Sequence, residues 1–264
     1  MTSKTRSFET ILLDVRDHVA TVTLHRPDAM NALSMQMLYD LEAVFQQIED
    51  DPSIWAMILT GHGRAFCAGA DLKERQTMTV ADVRRRRRLA PQVFGAFGRC
   101  RRPIIAAVNG LALGGGFEIA LSCDIILAAE SAKVALLETS LGIIPAGGAT
   151  QRLPRMIGPH RAKELIFTAR RLTAQQAFDL GILNRVVADS ELMPQAAALA
   201  QEIMANAPMA VAQAKRALNA SLSLGIDVGL EYEAEAYQTC LASADRAEGL
   251  AAFREKRKPA YTGE

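Results

Sequence analysis

Two short runs of small residues stand out for the chemistry their backbones allow. One is Phe66-Cys67-Ala68-Gly69-Ala70-Asp71-Leu72, and the other is Gly110-Leu111-Ala112-Leu113-Gly114-Gly115-Gly116-Phe117-Glu118. Residues without bulky side chains let main-chain N–H groups approach a bound molecule closely. The second run feeds a helix, whose first amides lack intrahelical acceptors and lie at the positive end of the helix dipole. Such a place suits an anion, or an oxygen that gains negative charge during a reaction. Glu118 follows Gly115 by three residues. In a helix its carboxylate lies on the face of the Gly115 amide, about one turn away. An acid beside an oxyanion donor is an arrangement for general acid–base work.

Glu118 sits among Phe117, Ile119, Ala120 and Leu121. Glu138 sits between Val134-Ala135-Leu136-Leu137 and Leu141-Gly142-Ile143-Ile144-Pro145. A carboxylate in so apolar a segment is costly unless it is paired or used. Each acid also has a structural alternative: a helix cap, or a buried pair with an arginine such as Arg152. Other chemistries find no support. There is no HExxH metal motif, no GxSxG elbow and no GxxxxGK[ST] phosphate loop. Gly61-His62-Gly63-Arg64-Ala65-Phe66 begins like a dinucleotide fingerprint but has Phe66 in the third glycine's place. Cys67, Cys100, Cys123 and Cys240 form no CxxC pair and no zinc spacing; Cys67 and Cys123 lie in apolar surroundings, where reduced, buried thiols are expected.

The elements that must position these residues alternate. Val19-Ala20-Thr21-Val22-Thr23-Leu24 reads as a half-buried strand. Ser34 caps a helix along which Met37, Leu38, Leu41, Val44, Phe45 and Ile48 recur at helical spacing. Residues 55–60, 103–108 and 124–129 are short apolar runs, expected as buried strands. Residues 61–71 read as a loop, residues 80–97 as a long helix and residues 117–122 as a short one. From about Thr150 the pattern turns helical: 162–168, 173–180, 191–206, 209–222, 228–241 and 245–253. Strands joined by helices imply a largely parallel sheet in an α/β fold. The helical tail must pack on that part or on another subunit.

The chain has 264 residues, half of them hydrophobic, and a net charge of +1 from 30 Lys+Arg against 29 Asp+Glu. No global field draws it to nucleic acid or an anionic membrane. The local exception is the five arginines at 84–88, read as a solvated helix face with one or two members usefully oriented. The short polar N-terminus lacks the apolar stretch of a signal peptide, and no apolar run reaches the ~20 residues of a membrane span. A cytoplasmic protein is expected.

Together these blocks resemble the enoyl-CoA hydratase/isomerase, or crotonase, family over nearly the whole chain. The resemblance is carried by Phe66-Cys67-Ala68-Gly69-Ala70-Asp71-Leu72-Lys73-Glu74-Arg75 and by residues 109–124, 138–155 and 245–257. It implies a crotonase-like ββα spiral core over residues 1–200 and a helical C-terminal region over 201–264 that serves oligomerisation. It implies an oxyanion hole from the amides of Ala70 and Gly115, and a catalytic pair Glu118 and Glu138. Keeping both acids points to adding water across the 2,3 double bond of an enoyl thioester. Isomerisation or dehydration of another acyl-CoA is the alternative on the same scaffold, and a non-enzymatic binding protein the third reading. Coenzyme A enters as part of the substrate, with no metal or redox cofactor. By resemblance Ala68, Ala70, Asp71, Leu72 and Lys73 line the coenzyme A site, Arg26 stands near its mouth, and Gly114 and Ala146 complete the substrate-binding set. Phe253 and Lys256 reach the adenine region in some relatives. Relatives assemble as trimers, often paired into hexamers.

Within the family, Ala68 to Arg75, Glu164-Leu165-Ile166-Phe167 and the last residues look most like methylglutaconyl-CoA hydratases of leucine breakdown. One member of that branch binds RNA through a lysine-rich helix. The matching residues 31–45 carry no Lys or Arg but do carry Asp40 and Glu42, so no nucleic-acid partner is expected. One departure is Pro145-Ala146-Gly147-Gly148-Ala149-Thr150, where relatives have glycine at the second place. The added methyl disfavours a positive φ there.

Overall fold

Apolar runs separated by glycine turns leave the chain little choice but to stack strands, and the order in which they stack decides where the two small-residue loops emerge. The computed structural model describes residues 4–264. Its strands are β1 (Lys4–Ser7), β2 (Ile11–Arg16), β3 (Val19–Leu24), β4 (Ala56–Gly61), β5 (Ala65–Cys67), β6 (Ile104–Val108), β7 (Leu111–Leu113), β8 (Ile125–Ala129), β9 (Lys133–Ala135), β10 (Leu172–Thr173) and β11 (Arg185–Val187). Its helices are α1 (Met35–Asp50), α2 (Leu72–Thr77), α3 (Val80–Arg99), α4 (Gly115–Ala120), α5 (Ala149–Ile157), α6 (Pro159–Thr168), α7 (Ala174–Asp179), α8 (Leu192–Met204), α9 (Pro208–Ser221), α10 (Ile226–Leu241) and α11 (Ala244–Glu255).

One sheet runs β1-β2-β3-β4-β6-β8-β11, antiparallel through β3 and parallel from there on. The second runs β10-β9-β7-β5, with β5, β7 and β9 parallel. The expected parallel α/β arrangement is therefore present. β4 and β6 are buried along their whole length, as central parallel strands must be. The main core packs β-strand side chains against α1, α3, α5 and α7. A second core puts Leu192, Ala196 and Ala200 of α8 on the other face of β4, β6 and β8. Alanines on both sides let the helix lie close to the sheet.

Helix α1 forms as its residues require. Ser34 Oγ accepts from Met37 N–H at 3.1 Å, and the stripe from Met37 to Ile48 is buried. Each such side chain contributes roughly 1.5–3 kcal/mol on burial. The same helix buries Asp40, whose Oδ2 accepts from Thr10 N and Oγ1, both at 2.7 Å.

Several expectations need correction. The β2–β3 hairpin was not foreseen, because its turn uses Asp17 (φ 46°) and His18 (φ 65°) in place of the usual Asn-Gly signal. Residues 61–71 are not wholly a loop, since β5 lies within them. The short helix begins at Gly115 instead of Phe117. The chain after Thr150 is not all helical either. β10 joins β9 and β11 joins β8, but strands of two and three residues are too short to show a period. Helix α5 was also missed; it buries Ala149, Leu153 and Ile157.

Helix α9 is tied to the core through a buried charge. Lys215 of α9 is buried, and its Nζ donates to Asp124 Oδ2 at 2.7 Å and to Arg102 O at 2.8 Å. Leu230, Tyr237, Leu250 and Phe253 on α10 and α11 are exposed. Among the described residues no helix is long and apolar enough to cross a membrane.

Candidate active site

The first small-residue loop is held by a single parallel bridge between Leu33 and Ala70. Leu33 N–H donates to Gly69 O at 2.7 Å, and Asp71 N–H donates to Leu33 O at 3.3 Å. Those bonds fall on residues 69 and 71, so Ala70 turns its own N–H to the other side of the chain. Gly115 opens α4, so its N–H has no intrahelical acceptor. The two segments touch. A methyl on Gly69 would stand 2.6 Å from Leu113 O and 3.3 Å from Gly115 N. Two amides that lack backbone acceptors among the described residues thus come from adjoining stretches of chain.

Glu118 lies one turn into α4 and is buried. Its Oε1 accepts from Gly147 N–H at 2.7 Å and from Ala149 N–H at 3.0 Å. Burial pushes its pKa up, opposed by the N–H groups of Ala149, Gly147 and Ala146 and by the Arg152 charge. The helix-cap alternative is therefore partly met, because Gly147 and Ala149 are at the start of α5. The arginine-pair alternative is not: Arg152 Nη1 donates instead to Gly147 O at 3.2 Å. Gly147 is needed for close approach. A methyl there would stand 2.6 Å from Phe94 Cε1 and 2.8 Å from Glu118 Oε2.

Glu138 opens a 3-10 turn, Glu138–Leu141. Its Oε1 lies 3.0 Å from where a methyl on Gly114 would be, which puts it over the residue that precedes α4. Its Oε2 is buried with no hydrogen-bond partner among the described residues. Burial raises the Glu138 pKa to about 6, and the negative charge of Glu118 adds to the rise, while its own backbone N–H and Arg75 oppose it. The fold brings the two acids into one electrostatic neighbourhood at the N-terminus of α4, which sequence could not show. Their environments differ in a useful way. One carboxylate is supported by two donors from the start of α5, and the other keeps one buried oxygen without a donor, a pattern that separates base from acid.

The remaining expected residues are less uniform. Arg26 Nη2 donates to Asp71 Oδ2 at 3.0 Å, and its Nη1 donates to Ala32 O at 2.6 Å. Asp71 caps α2 by accepting from Glu74 N–H. Burial would raise its pKa, but that N–H and Arg26 hold it below the usual range. Ala68 is half-buried and its N–H donates to Met30 O. Leu72 and Lys73 are solvent-facing, and Lys73 has no ion-pair partner among the described residues. Ala146 is exposed and does not adopt a positive φ; that demand falls on Gly148 at φ 111°. The methyl of Ala146 therefore brings no backbone strain. Phe94 was missed, although its helical spacing with Ala90 and Phe97 placed it on an inward face. Of residues 84–88 only Arg86 is buried. No three His, Cys, Asp or Glu side chains group to hold a metal among the described residues.

Comparison with known proteins bears on the family. A model of the enoyl-CoA hydratase/isomerase family matches residues 14–264. YngF of Bacillus subtilis is 48% identical over 257 residues, covering 97% of this chain and 99% of that protein. A short-chain-enoyl-CoA hydratase of Clostridium acetobutylicum is 43% identical over 249 residues, 94% of this chain and 95% of its own. The crystal structure of an enoyl-CoA hydratase from Bacillus anthracis superposes with a TM-score of 0.94 at 44% identity, over 97% of this chain and all of that one. With a shared fold, full-length sequence similarity and two acids gathered at the head of one helix, this chain belongs to the enoyl-CoA hydratase/isomerase family.

Proposed function

We propose that the protein adds water across the 2,3 double bond of an enoyl-CoA thioester. The observation that carries this reading is the pair of unlike carboxyl groups, Glu118 and Glu138, beside the open amides of Ala70 and Gly115. Water is a weak nucleophile, and its attack at the β-carbon drives the double-bond electrons onto the thioester oxygen as an enolate. The amides of Ala70 and Gly115 receive that charge. Each such donor can be worth roughly 3 kcal/mol of barrier. Glu118, whose charged form the N–H groups of Gly147 and Ala149 favour against its burial, takes a proton from the water as its oxygen bonds to the β-carbon. Glu138, with its raised pKa, delivers a proton to the α-carbon as the enolate collapses. The product is a 3-hydroxyacyl thioester, and the carboxyls exchange protons with solvent to reset. Chain groups and water suffice for every step, so no cofactor is proposed beyond the coenzyme A of the substrate.

The likeness to methylglutaconyl-CoA hydratases supports 3-methylglutaconyl-CoA as a candidate substrate. The coenzyme A moiety is proposed to lie along Ala68, Asp71, Leu72, Gly114 and Ala146, with Arg26 at the mouth and Lys73 free to meet a phosphate. Residues 201–264 are proposed as the assembly region of a trimer or hexamer in the cytoplasm; the apolar side chains on α10 and α11 favour that role.

Steady-state hydration of crotonyl-CoA tests the assignment. Glu118→Gln and Glu138→Gln are each expected to lower kcat by at least a hundredfold, and near-full activity in either would reject the role given to it. Running the wild type in oxygen-labelled water separates hydration from isomerisation, because isomerisation incorporates no oxygen.

A further inference from the structure

The hydration chemistry gives Phe94 on α3 no task, yet its ring stands between the two halves of the site. A methyl on Gly147 would stand 2.6 Å from Phe94 Cε1, 2.8 Å from its Cδ1 and 2.8 Å from Glu118 Oε2. A carbon–carbon single bond spans about 1.5 Å, so the ring edge packs against the Gly147 backbone. A methyl on Gly115 would stand 3.7 Å from Phe94 Cζ and 3.1 Å from Leu33 Cδ1. Leu33 is the residue bridged to Ala70. A line of neighbouring groups therefore runs from Ala70 through Leu33, Gly115 and Phe94 to Gly147, whose N–H donates to Glu118 Oε1 at 2.7 Å.

The ring can act as a spacer because its helix is held. Helix α3 buries Leu89, Val93 and Phe97, and Phe97 meets Phe45 of α1 edge-on with ring centroids 4.6 Å apart. Phe94 is partly buried and packs against the same core. An aromatic ring is flat and stiff, and its side chain sits in a few staggered positions. The turn it touches is built differently. Pro145-Ala146-Gly147-Gly148 carries two glycines, and Gly148 takes φ 111°. Glycine widens the conformations open to a turn, so its N–H groups point where neighbouring packing holds them.

We propose that Phe94 is a positioning residue, whose ring sets the gap between the Gly115 amide that receives the thioester oxygen and the Gly147 turn that holds Glu118 toward the water. The inference rests on the hydratase reading and deepens it. Water held by Glu118 must meet the β-carbon of a thioester whose oxygen is fixed at Gly115, and a misplacement of about 1 Å can cost roughly a hundredfold in rate. With the ring cut away, the turn falls toward the vacated space and its N–H groups leave Glu118 Oε1. A ring that merely filled space would act on the same carboxylate in the opposite sense. Water entering the void would relieve the burial that pushes the Glu118 pKa up, whereas loss of the N–H donors raises it further. The other charges facing Glu118, those of Arg152 and Glu138, are the same in both cases.

Variants of the full-length protein decide between these. Phe94→Ala is expected to lower kcat for crotonyl-CoA at least tenfold with KM changed less than threefold. Phe94→Leu, which keeps part of the volume, should recover part of the loss. The acid limb of kcat/KM should move to higher pH in Phe94→Ala. An acid limb that stays in place or moves to lower pH, or a loss confined to KM, would overturn the proposal. Combining Phe94→Ala with Gly147→Ala completes a double-mutant cycle. The ring and the added methyl compete for one place, so the double variant should lose less than the product of the two single losses; independent losses would overturn the coupling of ring and turn. Should Phe94→Ala fail to fold, Phe94→Leu carries the same comparisons. Carboxyl carbon NMR of Glu118 in isotope-labelled protein reads its titration without turnover. A wild type that hydrates no enoyl thioester, while Phe94→Ala still raises the Glu118 pKa, refutes the hydratase reading and keeps Phe94 as the residue that positions the turn; an unraised pKa in that measurement sinks the positioning role itself.

Discussion

Replacing Gly147 with alanine adds one methyl at a crowded point of the cleft. That methyl would stand 2.6 Å from Phe94 Cε1 and 2.8 Å from Glu118 Oε2. Uncrowded carbon contacts need about 3.5 Å or more, so the loop or the carboxylate must shift by close to 1 Å. The bond at stake is the 2.7 Å hydrogen bond from Gly147 N–H to Glu118 Oε1. A hydrogen bond to a charged group is worth about 1.5–3 kcal/mol. Losing the bond removes one of the groups that oppose burial and so raises the Glu118 pKa further. The sign follows from the role: Glu118 must be ionised to take the proton of water, and losing a donor favours its protonated form. The acid limb of kcat/KM for crotonyl-CoA should move to higher pH, with activity partly recovering there. An unmoved acid limb, or a loss uniform across pH, would refute the claim that Gly147 works by holding Glu118 ionised.

Two further outcomes follow from buried charge. Glu138 has its pKa raised from 4.5 to about 6, which amounts to a cost of about 2 kcal/mol for holding it ionised in the fold. Stability tied to this group is fully present below about pH 4.5 and lost as pH rises through about 6. Glu138→Gln should therefore melt several degrees higher than wild type at pH 8 and level with it at pH 4, by differential scanning fluorimetry, while losing activity; an equal Tm at pH 8 would count against the burial argument. Lys215→Met strips the cation from Asp124 and unties α9 from the core, and should cost about 3 kcal/mol in urea unfolding; a change under 1 kcal/mol would show that the tail is held by its apolar contacts alone.

The likeness carried by particular residues made much of this protein legible. The runs around Ala70 and Gly115 and the spacing to Glu118 marked a place for a developing negative charge before any fold was known. The stripe on α1 and its Ser34 cap were read directly, because period and capping are local properties. The elements that escaped are those whose cause lies elsewhere in the chain. Strands β10 and β11 exist because β9 and β8 offer edges to them. Helix α5 begins where Glu118, about thirty residues earlier, accepts from Gly147 and Ala149.

Sequence by itself determined which groups are available: small residues where a backbone must come close, acids inside apolar segments, and the helical and strand periods that carry them. Only the tertiary structure decided what each group became. Glu118 and Glu138 are nearly chemically identical, yet one receives two fixed N–H donors and the other has a buried oxygen with none. Five consecutive arginines are alike in sequence, yet only Arg86 is turned inward. The physical reason is that a side chain's charge state depends on the dipoles and charges that surround it in space, and those are supplied by segments far away along the chain.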